Sequence, residues 1–269
     1  MKKILYFIFF ATIIFMSACS EVVTVDIPQS ADKLVVEGYV STETDSSYIM
    51  LSKTVSYYSL AKIPQVNDAF VKVNADTFFN VGFGYYKPRS PYKGIPNVTY
   101  NLAVAYQGVT YKSVSTLQPL IKIDTLFKII HHDKELIAPD GYSLSFNFMF
   151  DNENQYTYFR DGFKNDLTSF GKDSIYDQLV TFDSKNSFYG VWMPFDVPLL
   201  RLQPNDTALL LFKSCDFNAF NYYNAISANA RGGSPFSSPP SNLPTNITGG
   251  ALGFFAAQDV KHYRIRIKP

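Results

Sequence analysis

The chain has 269 residues, with 24 Lys and Arg against 23 Asp and Glu for a formal charge of +1. That near balance excludes a nucleic-acid binder of the electrostatic kind, which needs a clear basic excess. The length suffices for one large β domain or two smaller ones, and abundant Tyr and Phe among Pro, Gly, Asn and Ser favour a mainly β fold.

At the amino terminus, Lys2 and Lys3 precede an almost unbroken apolar run from Ile4 to Met16, closed by Ser17, Ala18 and Cys19. The run falls short of the roughly 20 residues that a membrane span needs, so residues 1–18 read as a secretory signal. A cysteine directly after small residues resembles the bacterial lipobox, whose thiol is diacylated and whose new amino terminus is acylated. Cys19 is therefore the expected lipidation site, and residues 19–31 the lipidated tether. No later apolar run approaches spanning length, which makes the lipid the expected membrane anchor. Cys215 is then left without a partner in the chain. It reads as a small buried hydrophobe rather than a reactive thiol.

Residues 32–118 form the first expected domain. Leu34–Val40, Tyr48–Leu51 and Ala69–Val73 are strand candidates. Thr99–Ser115 reads as a hairpin: Tyr100, Leu102, Val104 and Tyr106 share one face, and the chain reverses at Gln107-Gly108. Short strands over this span fit a small β-sandwich. Pro and Gly punctuate Tyr85–Pro96, which excludes it as a central strand. Leu117–Ile123, with Pro119 in its middle, marks the boundary.

The second domain, 119–269, opens with Leu126–Ile130 and a loop from His131 to Gly141. Tyr142–Phe150 alternates strictly, with Tyr142, Leu144, Phe146, Phe148 and Phe150 on one face. Asp151–Gln155 turns the chain into a strand at Tyr156–Phe163. Ala208–Phe212 is continuously apolar and suits a strand buried on both faces. Asp216–Arg231 is the helix candidate, capped by Asp216, with Phe217, Phe220, Tyr223 and Ile226 at helical spacing. A closing strand puts Tyr263, Ile265 and Ile267 opposite His262, Arg264, Arg266 and Lys268. That basic face reads as a charged edge guard or an anionic-partner site.

The sequence carries no catalytic signature, and the expectation is a non-enzymatic protein without a cofactor. The adjacent pair His131 and His132 lacks helical ligand spacing, and with Asp133 it makes a weak metal candidate. No Gly-x-Ser-x-Gly elbow is present. Asp151 and Glu153 lack the calcium-loop pattern, and the separation of Glu153 from Asp161 is not readable from sequence. The sequons at Asn97, Asn205 and Asn246 match Asn-x-Ser/Thr but are discounted as acceptors beside a bacterial-type lipobox. Exposed aromatics such as Tyr85, Tyr86, Tyr92 and Trp192 offer a carbohydrate or peptide platform. Gly232–Gly250 carries Pro235, Pro239, Pro240 and Pro244 between two Gly-Gly pairs, so it can be ordered without regular structure. Either it is a structural loop or it is a recognition surface. In the second case Phe236, Asn242 and Asn246 are the expected partner-binding residues.

Four blocks carry a family resemblance: the lipobox start, LVVEGYVSTE at Leu34–Glu43, NVTYNLAVAYQGVTYKSVST, and GGSPFSSPPSNLPTNITGGALGFFAA at Gly232–Ala257. Together they resemble the Bacteroidota lipoproteins of domain of unknown function 4249. The resemblance implies an N-terminal immunoglobulin- or transthyretin-like β-sandwich followed by a second β-rich domain with one helix. It also implies an outer-membrane lipoprotein that partners a TonB-dependent receptor in nutrient uptake. A structural or adhesive cell-envelope protein binding surface or host polymers is the rival, and surface or periplasmic orientation stays open. Asp124-Thr125-Leu126, Asp173-Ser174-Ile175 and Asp206-Thr207-Ala208 are similar to the O-glycosylation triplets of exported Bacteroidota proteins, which makes Thr125, Ser174 and Thr207 candidate acceptors.

Overall fold

A computed structural model describes residues 32–56, 62–135, 140–151, 155–164, 179–185, 189–197, 202–231 and 242–268. The protein is mainly β, with two β-rich domains and one helix among the described residues. In the first domain, β1 (Leu34–Ser41), β2 (Tyr48–Lys53), β3 (Phe70–Val73), β4 (Asp76–Gly82), β5 (Tyr85–Lys87), β6 (Thr99–Tyr106) and β7 (Val109–Thr116) lie in one sheet. An eighth strand arrives from the far part of the chain. This is β15 (Leu252–Gln258), and the order is β15-β1-β2-β5-β4-β3-β6-β7. The first body is thus not confined to residues 32–118.

The sheet curls until its two edges approach, giving a barrel-like form. Ala257 donates its amide to Ser115 Oγ at 2.9 Å, and Thr248 and Gln258 bridge to Lys112 and Gln118. Val36, Val40, Ile49, Leu51, Val71, Val73, Leu102 and Val104 fill the interior from alternate positions of their strands. Between strands all pairings are antiparallel except β1 with β15, and the isolated Gln118–Gln258 bridge is parallel too. Strand directions therefore define two ends. β1, β3, β5, β7 and β15 start at the end where Leu34 enters, called the tether end here, and β2, β4 and β6 finish there. The second domain departs from the opposite end, after Thr116 and after Gln258.

Several local features follow the sequence. Gln107 and Gly108 adopt φ of 48° and 77°, the left-handed pair that a two-residue hairpin turn requires. Two differ. Tyr85–Lys87 is a strand between β2 and β4, so the expected absence of a central strand there is corrected for these three residues. The strand stops before Pro88, which has no amide to donate. β4 went unpredicted because Phe78 alone of its side chains is buried, which leaves no alternation to read.

The second domain packs two four-stranded sheets together. One has β10 (Gly141–Met149) between β13 (Met193–Asp196) on one side and β8 (Lys122–Ile123) with β9 (Lys128–His132) on the other. The second runs β12 (Leu179–Asp183), β11 (Tyr156–Lys164), β14 (Thr207–Cys215), β16 (Val260–Arg266). Leu144, Phe146 and Phe148 of β10 meet Ala208, Leu210 and Phe212 of β14, and the Phe146 and Phe212 rings stand edge to face at 5.2 Å. β14 is central and apolar on both faces, as its unbroken run requires.

Helix α1 (Phe217–Arg231) follows β14 directly. Asp216 caps it by accepting the Ala219 amide at 2.9 Å, while its other oxygen accepts the Ser115 hydroxyl at 2.6 Å. Ala219, Phe220, Tyr222 and Tyr223 pack with Tyr156, Cys215, Phe254 and Ala256. β15 is consequently buried on both faces: Phe255 and Ala257 point into the barrel, Phe254 and Ala256 against the helix.

Gly253 permits this arrangement. It adopts φ of 97°, and a Cβ there would lie 2.1 Å from the Val36 carbonyl oxygen of β1. Gly253→Ala is expected to destabilise the protein by at least about 2 kcal/mol, read as a lower urea midpoint. Gly250→Ala, with φ of 88° and open space around the added methyl, carries only the conformational strain of about 1–2 kcal/mol. Equal losses in the two variants would refute the close-approach account.

Candidate functional site

Of the Gly232–Gly250 segment, residues 242–250 are described; Phe236 lies outside the described residues. Asn242 is exposed, with Leu243 beside it. Asn246 is committed to structure. Its Nδ2 donates to the Phe255 carbonyl at 2.7 Å, and its Oδ1 accepts the Phe255 amide at 3.0 Å. The side chain thereby takes the place of a neighbouring strand on β15. Ile247 is buried in the barrel core, and Thr248 donates its amide to the Lys112 carbonyl at 2.8 Å. The described end of the segment is therefore fastened at the tether end, leaving Asn242 and Leu243 facing solvent.

A second feature is a cavity of about 430 Å³ lined by Leu120–Ile123, Trp192, Asp259–Lys261 and Tyr263. Trp192 is half-exposed, and the Tyr263 hydroxyl is buried without a hydrogen-bond partner. The charged groups here already have structural work. Asp259 accepts the Thr42 hydroxyl at 2.8 Å and the Leu120 amide at 3.0 Å. Lys122 pairs with Asp151 at 2.6 Å, and the Lys261 ammonium sits 5.2 Å from the Tyr263 ring centre. Such a lining suits aromatic contact more than proton transfer.

The basic face of β16 lies at a sheet edge, with His262, Arg264, Arg266 and Lys268 exposed. His262 Nε2 contacts Glu43 of the β1–β2 loop at 2.7 Å, which ties the two domains, and Arg266 donates to Asn205 Oδ1 at 3.3 Å.

The remaining candidates separate rather than assemble. His131 and His132 belong to β9, not to the expected loop, so their side chains leave the strand on opposite faces. His131 approaches Asp133 at 3.7 Å while His132 Nε2 meets the Ser143 hydroxyl at 2.7 Å. Among the described residues no group of three or more His, Cys, Asp or Glu is placed to hold a metal ion. Tyr86 is core, not platform: its hydroxyl accepts the Ala69 amide and donates to the Val66 carbonyl. Thr125 is exposed and follows Asp124, whose carboxylate accepts the Leu126 amide. Thr207 is buried at the start of β14. Ser174, Glu153 and Cys19 lie outside the described residues, as does the side chain of Asp161.

Two expectations follow. Asn246→Ala strands the Phe255 amide and carbonyl and is expected to cost about 2 kcal/mol of stability by denaturant titration. Cys215 is fully buried, and burial together with the neighbouring Asp216 carboxylate pushes its thiol well above the ordinary range. A thiol reagent at pH 8 is expected to leave Cys215 unmodified in the folded protein and to label it on denaturation; rapid native labelling would contradict the buried placement.

Residues 20–264 match the family model described as domain of unknown function (DUF4249), and the chain belongs to that family. No curated protein matches the chain.

Proposed function

We propose that this member of the DUF4249 family is an outer-membrane lipoprotein, anchored through Cys19, that serves without catalysis as an accessory or ligand-capture partner of a TonB-dependent receptor. One observation carries the reading: the export and lipidation pattern of Met1–Cys19 stops where the family match begins, at residue 20. A supporting observation is that Asp259 and Lys122 of the cavity lining are engaged in fold-building contacts, which leaves the exposed Trp192 surface for binding. An immunoglobulin- or transthyretin-like β-sandwich as the kinship of the first domain belongs to the same proposal, supported by strands β1–β7, which are short and pair antiparallel among themselves.

The experiment is a gentle detergent extraction and pull-down of the full chain, followed by mass spectrometry. A β-barrel receptor is expected to co-purify, and its absence would count against the partnership. Cys19→Ala is expected to shift the protein from membrane to soluble fractions. Continued membrane retention of that variant would refute the lipid as the anchor.

A further inference from the structure

The exposed large apolar side chains of the barrel are unevenly placed. Ile63, Phe70, Val81, Phe83, Val109 and Leu252 all sit at the tether end, in the β2–β3 connection, around the β4–β5 turn and at the starts of β3, β7 and β15. Phe79 and Val114 are exposed along their strands, and Ile95 alone of the described large apolar residues is exposed in the β5–β6 connection at the far end. Single exposed apolar residues need no explanation, but a cluster at one end of a β body marks a contact surface.

Phe83 sharpens the point. It is 78% exposed, and it adopts φ of 54° between Gly82 at 96° and Gly84 at 74°. A bulky residue in the left-handed region is strained, and a turn that only reversed the chain would be better served by Gly or Asn. The aromatic ring is held outward on a turn fixed from beneath. Gly84 donates its amide to Asn67 Oδ1 at 2.8 Å, and Leu51 donates its amide to the Gly84 carbonyl at 2.8 Å.

We infer that this end of the barrel is a lipid-contacting foot, with Val81, Phe83 and their apolar neighbours entering the headgroup–acyl boundary of the membrane that holds Cys19. The inference rests on the lipid-anchor reading above. Where the chain enters selects a lipid surface over other apolar partners. Residues 19–31 lead directly into Asp32 and Leu34 at this same end. At about 3.5 Å per residue the tether keeps the foot within about 45 Å of the bilayer. Lys33, Lys53 and Lys62 nearly balance Asp32 and Asp68 around it, so contact depends on apolar and aromatic side chains and not on anionic lipid.

The test uses the full lipidated chain reconstituted into phosphatidylcholine vesicles. Trp192 is the sole tryptophan, so Trp192→Phe with Phe83→Trp places one indole at the foot. Acyl chains brominated near the headgroup are expected to quench its emission at least about twofold, and to leave the same reporter in Ile95→Trp unchanged. Val109→Trp repeats the measurement at the same end if Phe83→Trp folds poorly. Flotation in parallel separates the two readings. Vesicle-bound protein whose indole is unquenched at both positions overturns the foot and leaves the anchor standing. Protein that does not float overturns both. A blue-shifted yet unquenched indole on vesicle-bound protein assigns the end to a protein partner or a second copy, and likewise overturns lipid contact.

Discussion

The structure depends on one close approach of two backbones. β15 lies parallel to β1, and Gly253 lets the Val36 carbonyl come within a distance that any side chain would forbid. Without that contact β1 would be an exposed edge, and Phe254 and Ala256 would have nothing to hold them against the helix. The pairing also fixes the register in which Phe255 and Ala257 enter the barrel core. Core, helix and the link between domains thus share a single strand.

Polar residues at the junction reinforce the same geometry. Asp216 caps the helix and binds Ser115 of β7, whose hydroxyl in turn accepts the Ala257 amide. Asp259 gathers Thr42 and Leu120. Ser214 accepts the Asp259 amide at 2.8 Å and donates to the Gln118 carbonyl. Of these groups the sequence marks only Asp216, as the helix cap. In the fold they satisfy buried backbone and caps, as low-dielectric surroundings demand.

Much of this was legible beforehand. Alternation marks β3, β6, β7, β10 and β16; the unbroken apolar run marks β14; and Asp216 marks the start of the helix. β4 and β5 were obscure because Phe79, Val81 and Phe83 are apolar yet exposed, which defeats a reading based on burial. β15 is absent from the strands read in the sequence, where its GFFAA stretch figures only in the family signature. A strand buried on both faces carries no alternation to say which sheet it joins. The site was legible only in part, since sequence chose Asn246 as a loop amide without revealing that Phe255 claims both of its polar groups. The apolar end was missed altogether, for it exists only once turns far apart in sequence meet at one end of a barrel.

Thr42 and Asp259, whose side chains bond across the junction, stand 217 residues apart. Closing the first barrel means bridging nearly the whole chain, and pairings of such separation are slow to form. During synthesis the first seven strands have no eighth neighbour until residues 252–258 have been made. Maturation of this molecule is accordingly timed by β15: the first strands of the barrel are among the last to acquire their final shape.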